Sequence, residues 1–236
     1  MPESTYNDDY QFLRRQQRLS FDEIVRLAGI AVGLGVNKLR LTGGEPLLDK
    51  GVVALVARLA KLPGVEDLAL TTNGTLLERY AAPLADAGLN RVTVSLDSVD
   101  PDIFRSMSGD RGDVQTVLQG IDAAARAGLT PVKINTVVQR GVNDHKVLDV
   151  LEHFRGSGHV VRMIEFMDVG NRNGWRLDQV VPSRELLEAI DARWPVEAIG
   201  RNYPGEVASR YRYRDGAGEI GFISSVTEPF CGNCSR

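Results

Sequence analysis

Short apolar strand patterns alternate with amphipathic helix patterns along most of the chain. Strands are predicted near residues 37–42, 67–72, 91–97, 131–138 and 160–166. Helices are predicted between them, near residues 20–33, 50–61, 75–87, 113–127 and 144–155. Parallel neighbours need a long, right-handed crossover connection, and a helix between successive strands supplies one. The repeat therefore predicts an α/β fold with a parallel sheet.

Alternate residues of these strands fall on two chemically different faces. One face is aliphatic, is expected to pack under helices, and includes Ile164 and Phe166 in the fifth strand. The other face is polar in four strands, and in the fifth it is expected to carry Met163, Glu165 and Met167. Its remaining residues are Arg40, Thr42, Gly44, Ala69, Thr71, Asn73, Thr93, Ser95, Asp97, Lys133 and Asn135.

The polar face restricts the choice of fold. A closed eight-stranded barrel fills its interior with branched apolar side chains, and a doubly wound sheet covers both faces with helices. Burying unpaired polar groups is costly. We therefore expect a partial, open parallel (β/α) barrel whose interior holds a sizeable polar ligand, with polar strand ends in solvent as the alternative.

Composition excludes several classes of protein. The 236 residues carry a net charge of -3, so no basic field is available for nucleic acid. No apolar run reaches the length of about 18 residues that a membrane span needs, and the amino terminus is not organised as a signal peptide. We expect a cytoplasmic protein that binds neither nucleic acid nor membrane.

The strand and helix alternation stops after Phe166. A short helix is predicted near 183–194, and a hairpin near 207–226 with its turn at Asp215–Gly218. We expect two parts, residues 1–170 as the partial barrel and residues 171–236 as a carboxy-terminal α+β appendage.

The only two cysteines, Cys231 and Cys234, lie close to the end of the sequence. Their spacing lets two thiolates bind one iron or zinc ion, but a closed site needs four ligands. A thioredoxin-like redox pair would open a helix, and only two residues follow Cys234. A metal pair and a redox pair are the two options from spacing.

Six segments, in order over almost the whole chain, resemble the GTP 3',8-cyclases, the family of radical S-adenosylmethionine (SAM) enzymes that opens molybdenum cofactor biosynthesis. The first is common to radical SAM enzymes, whereas the last two are specific to this family. The segments are Thr42–Pro46, Leu70–Gly74, Val94–Asp97, Val132–Asn135, Ile164–Asn171 and Phe230–Arg236.

The resemblance implies both ligands and chemistry. It implies SAM contacts at Gly44, Ser95 and Met167, and two of three ligands of a carboxy-terminal 4Fe-4S cluster at Cys231 and Cys234. The implied GTP contacts are Arg40, Thr71, Lys133 and Arg236. The implied reaction begins with reductive cleavage of SAM, continues with hydrogen abstraction from the GTP ribose, and gives the cyclic pterin precursor. The next enzyme of the molybdopterin pathway would take this product, and a homodimer stays open.

The chain also departs from the family pattern. The family binds its radical-generating cluster with a Cys-x-x-x-Cys-x-x-Cys motif whose last cysteine precedes Met-Pro-Glu, and this sequence begins Met1-Pro2-Glu3. We expect that both ends are cut, with the first barrel strand and the third cysteine of the second cluster also missing.

Two further interpretations stay open. One is a catalytically inactive remnant that binds SAM and GTP but lacks the radical-generating cluster. The other, from the residues alone, is an aldolase-like enzyme, for which Lys133 is the mid-strand candidate for a Schiff base.

Overall fold

A computed structural model describes residues 17–167, 175–203 and 205–228 of the chain. The helices in these ranges are α1 Phe21–Gly33, α2 Val52–Ala60, α3 Leu77–Asp86, α4 Pro101–Ser108, α5 Val114–Arg126, α6 Val147–Phe154 and α7 Ser183–Arg193. The strands are β1 Lys38–Leu41, β2 Asp67–Thr72, β3 Arg91–Ser95, β4 Lys133–Val138, β5 Val160–Glu165, β6 Val196–Ile199, β7 Ser209–Tyr213 and β8 Glu219–Ile223.

The described residues divide into two compact units. The amino-terminal unit contains the described residues up to Ser95, together with Gln115–Val132. The carboxy-terminal unit contains Leu96–Val114 and the described residues from Lys133 onward. The boundary between 170 and 171 that the sequence suggests for a barrel and an appendage stays a prediction.

The amino-terminal unit is a parallel sheet with helical crossovers. β1 pairs with β2 and β2 pairs with β3, both parallel. Its aliphatic face is the core, where Leu68, Leu70, Val92 and Val94 are fully buried. Buried aliphatic residues of α2, α3 and α5 complete this core, as the strand parity predicts.

The carboxy-terminal unit combines parallel and antiparallel pairing. β4 and β5 are parallel, and β5 pairs in parallel with β8. β8, β7 and β6 are antiparallel neighbours, so the predicted hairpin is present. The hairpin extends the sheet of β4 and β5 directly through β8.

α1 begins with a capping box. The backbone N–H of Glu23 donates to Ser20 Oγ at 3.3 Å, and the Ser20 N–H donates to Glu23 Oε2 at 2.7 Å. These two bonds satisfy two backbone N–H groups at the start of the helix that have no acceptor within it.

The parity that the sequence indicated for β5 is wrong by one residue. In the register of β4 and β5, Asn135 lies opposite Arg162 and Val138 lies opposite Glu165. Arg162 and Ile164 therefore share the face of Lys133 and Asn135, whereas Met163 and Glu165 share the buried face. Both faces of β5 are mostly apolar, so side-chain type alone does not fix the parity, and a buried Glu165 was not anticipated.

Two elements were not predicted. α4 begins after Asp100, whose carboxylate accepts from the N–H groups of Asp102 and Ile103, and Pro101 follows at the first helical position. β6 is a four-residue strand. In the part of the chain that the structure describes, no helix is both long and apolar enough to cross a membrane.

Candidate functional site

Arg40 and two threonines form a hydrogen-bonded group on the polar face of the amino-terminal unit. Arg40 Nη1 donates to Thr71 Oγ1 at 2.8 Å and to Thr93 Oγ1 at 3.2 Å. The three residues come from β1, β2 and β3, and all are part-buried in these contacts. The structure thus brings together Arg40 and Thr71, which the sequence placed on one face, and fixes the guanidinium there.

The loop after β1 is tied to the end of β2 by Glu45. Glu45 Oε1 accepts from Thr72 Oγ1 at 2.7 Å and from the Leu47 N–H at 3.0 Å, while Oε2 accepts from the Asn73 N–H at 2.7 Å. The sequence singled out the Thr42–Pro46 turn but assigned no role to this carboxylate. Its role in the structure is to hold two strand ends together.

Two glycines shape these strand ends. Gly43 has a φ of 153°, which L side chains rarely adopt. At Gly74 the φ is 82°, and a Cβ there would lie 2.9 Å from the side chains of both Val94 and Val117. Only glycine fits this turn between β2 and α3 without displacing its neighbours.

Gly44 and Ser95 lie at the carboxyl ends of β1 and β3 and are both exposed. A Cβ added at Gly44 would meet no atom within 4 Å. Because β1, β2 and β3 are parallel, their carboxyl ends share one edge of the sheet. Backbone groups at this edge are therefore open to a ligand.

In the carboxy-terminal unit, Asp97 is a half-buried carboxylate with an unusual pKa. Burial raises the pKa of Asp97 to about 6, and a hydrogen bond from the Val137 N–H, 2.8 Å from Oδ1, opposes this rise. Asn143 Nδ2 donates to the carbonyls of Asp97 and Val137, both at 2.8 Å. Sequence reasoning did not identify Asn143, because its partners are backbone atoms and one of them, the Asp97 carbonyl, is distant in sequence.

Lys133 and Asn135 share one face of β4, as predicted. Both side chains are half-buried. Arg162, on β5, is opposite Asn135 and is almost completely buried. No role was predicted for Arg162, because the predicted parity of β5 is wrong by one residue.

Glu165 is a buried carboxylate that joins three segments. Its oxygens accept from the N–H and Oγ of Ser183 at 3.0 and 3.2 Å, and from the N–H groups of Val226 and Thr227 at 2.9 and 2.8 Å. Thr227 Oγ1 donates as well. Burial alone would raise the pKa of Glu165, but the hydrogen bonds from Thr227, Ser183 and Val226 outweigh it and hold the pKa below its usual value.

The remaining expected site residues lie at or beyond the limits of the description. Met167 follows β5, and its side chain is 45% exposed. Cys231, Cys234 and Arg236 lie outside the described residues. Among the residues that are described, no three His, Cys, Asp or Glu side chains are grouped to hold a metal ion.

The sequence matches two family profiles that together span most of the chain. Residues 4–154 match the Radical SAM superfamily. Residues 159–236 match the family described as Molybdenum Cofactor Synthesis C.

Solved structures of other proteins share the fold. The chain aligns with Streptococcus suis SuiB bound to S-adenosylmethionine with a TM-score of 0.62 and 13% identity, over 78% of this chain and 43% of SuiB. It aligns with methylornithine synthase with a TM-score of 0.61 and 18% identity, over 79% of this chain and 56% of that one. The predicted fold class, an open parallel α/β fold of the radical SAM type, is confirmed.

Other relatives are much closer in sequence. The GTP 3',8-cyclase of Xanthomonas axonopodis pv. citri (strain 306) is 58% identical over all 236 residues, which cover 70% of that protein. Those of Acidothermus cellulolyticus and Staphylococcus saprophyticus are 52% and 44% identical, with 65% and 69% of their lengths covered. The chain therefore belongs to the GTP 3',8-cyclase family of the Radical SAM superfamily.

Proposed function

We propose that the chain binds GTP and SAM and acts as a GTP 3',8-cyclase-like lyase, which converts GTP to the cyclic pterin precursor of molybdopterin. The observation that carries this proposal is the Arg40 guanidinium, held by Thr71 and Thr93 on the polar strand face. A positioned cation on a part-buried surface suits a polyanionic nucleotide.

The GTP contacts proposed are Arg40, Thr71, Lys133 and Arg236. Arginine and lysine form charge-assisted hydrogen bonds with phosphate oxygens, and these bonds are about twice as strong as neutral ones. In support, Thr71 orients Arg40 directly on β1, and Lys133 is the first residue of β4. The role proposed for Arg236 rests on the resemblance to the family alone.

The SAM contacts proposed are Gly44, Ser95 and Met167. The open space beside Gly44 fits the close approach of a ligand to backbone groups. Ser95 presents an exposed hydroxyl at the same sheet edge as Gly44, and Met167 offers a polarisable, part-exposed side chain. These properties fit a ligand with both polar and apolar parts.

The proposed cluster ligands are Cys231 and Cys234, through thiolate bonds to a 4Fe-4S cluster. A radical-generating 4Fe-4S cluster supplies the electron for reductive cleavage of SAM, and its three cysteines are not among these 236 residues.

We further propose that the protein works in the cytoplasm and that its product passes to the next enzyme of molybdopterin synthesis. A homodimer and the division into residues 1–170 and 171–236 stay predictions. Sedimentation of the purified chain would decide the oligomeric state.

The nucleotide proposal is tested by calorimetric titration of GTP. Arg40→Ala and Lys133→Ala should each weaken binding by about 1.5–3 kcal/mol, the range for hydrogen bonds to charged groups. The matched control is Arg184→Ala, which removes an exposed arginine paired with Glu188 on α7. It should leave the affinity unchanged.

A titration with guanosine separates phosphate contacts from base contacts. Neither Arg40→Ala nor Lys133→Ala should change guanosine affinity if both cations bind phosphate. Equal GTP affinity in wild type and both variants would show that these cations are structural, and the nucleotide site would then have to lie elsewhere.

A further inference from the structure

A small cavity lies in the carboxy-terminal unit, between α6 and the hairpin of β7 and β8. Its lining is mostly apolar and includes side chains from α6, β5, β7 and β8, together with Arg155 just after α6. Its free volume is about 10 Å³, close to the roughly 10–15 Å³ that one water molecule needs. The cavity is therefore too small for a nucleotide or another organic molecule.

Two buried polar atoms belong to residues that line this cavity. They are Arg155 Nε and Tyr213 Oη, and no described residue forms a hydrogen bond with either atom. Tyr213 is only 3% exposed, and burial raises its pKa to about 12, so the hydroxyl keeps its proton at neutral pH. Buried donors without an acceptor are costly, because they have lost their hydration.

The remainder of the Arg155 side chain is held in place by its neighbours. Its Nη2 forms an ion pair with Asp215 in the turn between β7 and β8. Its Cζ lies 5.6 Å from the ring centroid of Trp194 and 5.0 Å from that of Tyr213, within the range of cation–π contacts. These contacts oppose a rotation that would bring Nε to another acceptor.

Charge and chemistry define what the cavity would bind. The Arg155 charge is paired with Asp215, and Glu219, which also lines the cavity, is paired with Arg210 at 2.7 Å. A small anion would therefore lie close to two carboxylates and find no unpaired positive charge on Arg155. A guanidinium nitrogen donates and never accepts, so the ligand must carry an acceptor. Water is neutral, fits the volume and can bond to both groups.

We propose that one ordered water molecule binds in this cavity, accepts a hydrogen bond from Arg155 Nε and forms a second one with Tyr213 Oη. The water would join the end of α6 to β7. Across the same junction, the Gly156 N–H donates to the Ala217 carbonyl at 2.8 Å. The site lies at the amino-terminal ends of β5 and β8, so it is independent of the nucleotide-binding function proposed above.

Thermal unfolding tests whether the Tyr213 hydroxyl is bonded. Tyr213→Phe removes only this hydroxyl, and the loss of a water-mediated hydrogen bond should lower the Tm by about 2–4 °C. The matched control is Tyr211→Phe, at a half-buried tyrosine on the same face of β7. It should shift the Tm by less than about 1 °C. A higher Tm for Tyr213→Phe would show that the hydroxyl has no partner, and would overturn the proposal.

A high-resolution crystal structure of the wild-type chain, grown with bromide in place of chloride, tests the ligand directly. We expect a density peak without anomalous signal within hydrogen-bond distance of both Arg155 Nε and Tyr213 Oη. An anomalous bromide peak at this position would show that the site binds a halide, and the neutral ligand would be wrong. The absence of any peak beside the two atoms would show that the water site does not exist.

Discussion

At the scale of single residues, Glu165 shows how a buried charge can be structural inside a family motif. Its carboxylate accepts five hydrogen bonds from Ser183, Val226 and Thr227. These donors belong to the start of α7 and to the segment after β8. The hydrogen-bonded carboxylate of Glu165 therefore holds together segments that are distant in sequence.

Replacing Glu165 by glutamine should destabilise the protein by about 2–4 kcal/mol at pH 7, because an NH₂ group would face backbone donors. The pKa of Glu165 is lowered in the folded state. The stability from the charge is therefore present above the unfolded pKa, near 4.3, and is lost as pH falls through the folded pKa. Urea unfolding at about pH 7 and about pH 3.5 should show the difference between wild type and Glu165→Gln shrinking at the lower pH.

The control for this measurement is Glu188→Gln, at an exposed glutamate paired with Arg184. Exposed ion pairs contribute about 0–1 kcal/mol, so its stability should stay close to wild type. A loss of the same size in both variants, or a Glu165→Gln difference that does not depend on pH, would contradict the role of the carboxylate.

Some residue contacts follow from strand periodicity and others do not. Strand periodicity predicted that Arg40 and Thr71 lie on one face of the sheet, and their side chains are hydrogen-bonded to each other. Glu45 and Asn143 were not recognised because Glu45 accepts from the Asn73 N–H and Asn143 donates to the Asp97 carbonyl, and only the tertiary fold brings these distant partners close. Local pattern carries no information about such contacts.

At the scale of secondary-structure elements, α1 presents an unusual surface. None of its residues is buried, and Leu27 and Ile30 are exposed along one side of it. Leu34, just after the helix, is 84% exposed and continues that side. Contiguous apolar surface of this kind favours association of the chain with itself.

Ile30→Glu should reduce this association. The side chain is 52% exposed, so the change buries no charge, and glutamate is a better helix former than isoleucine. Light scattering of a concentration series should show less association than in wild type.

The control for Ile30→Glu is Gln115→Glu, which adds the same charge at an exposed position of α5. It should leave the association of wild type almost unchanged. Equal reduction in both variants would mean that net charge, and not the apolar side of α1, controls association.

The ranges of strands and helices with a strong hydrophobic pattern can be predicted from the sequence. Short elements, and strands that are apolar on both faces, are harder to predict. β2 matches its predicted range of 67–72, and four of its six residues are buried. α4 was not predicted, although Asp100 as N-cap and Pro101 at the first helical position are typical of a helix start. β6 is a four-residue strand, and its position depends on its pairing with β7. β5 is mostly apolar on both faces, so tertiary contacts decide which of its residues face the core.

At the scale of the whole molecule, the residues proposed to bind nucleotides and the cysteine motif expected to hold the radical-generating cluster are different parts of the family pattern. The proposed GTP and SAM residues are all among these 236 positions, whereas the chain covers 70% of the Xanthomonas axonopodis relative. The Cys-x-x-x-Cys-x-x-Cys motif expected of the family has no counterpart in this sequence. Binding and SAM cleavage are therefore separable by experiment.

The 236-residue chain should bind GTP but form no 5'-deoxyadenosine from SAM after anaerobic iron–sulfur reconstitution and strong reduction. Two cysteines cannot supply the three thiolates of the radical-generating cluster, so the ligand set is absent rather than weakened. The matched control is the same chain extended before Met1 by a family segment that ends in the three-cysteine motif. Chromatographic detection of 5'-deoxyadenosine should succeed for the extended chain alone, and its detection with the 236-residue chain would show that other side chains hold the cluster.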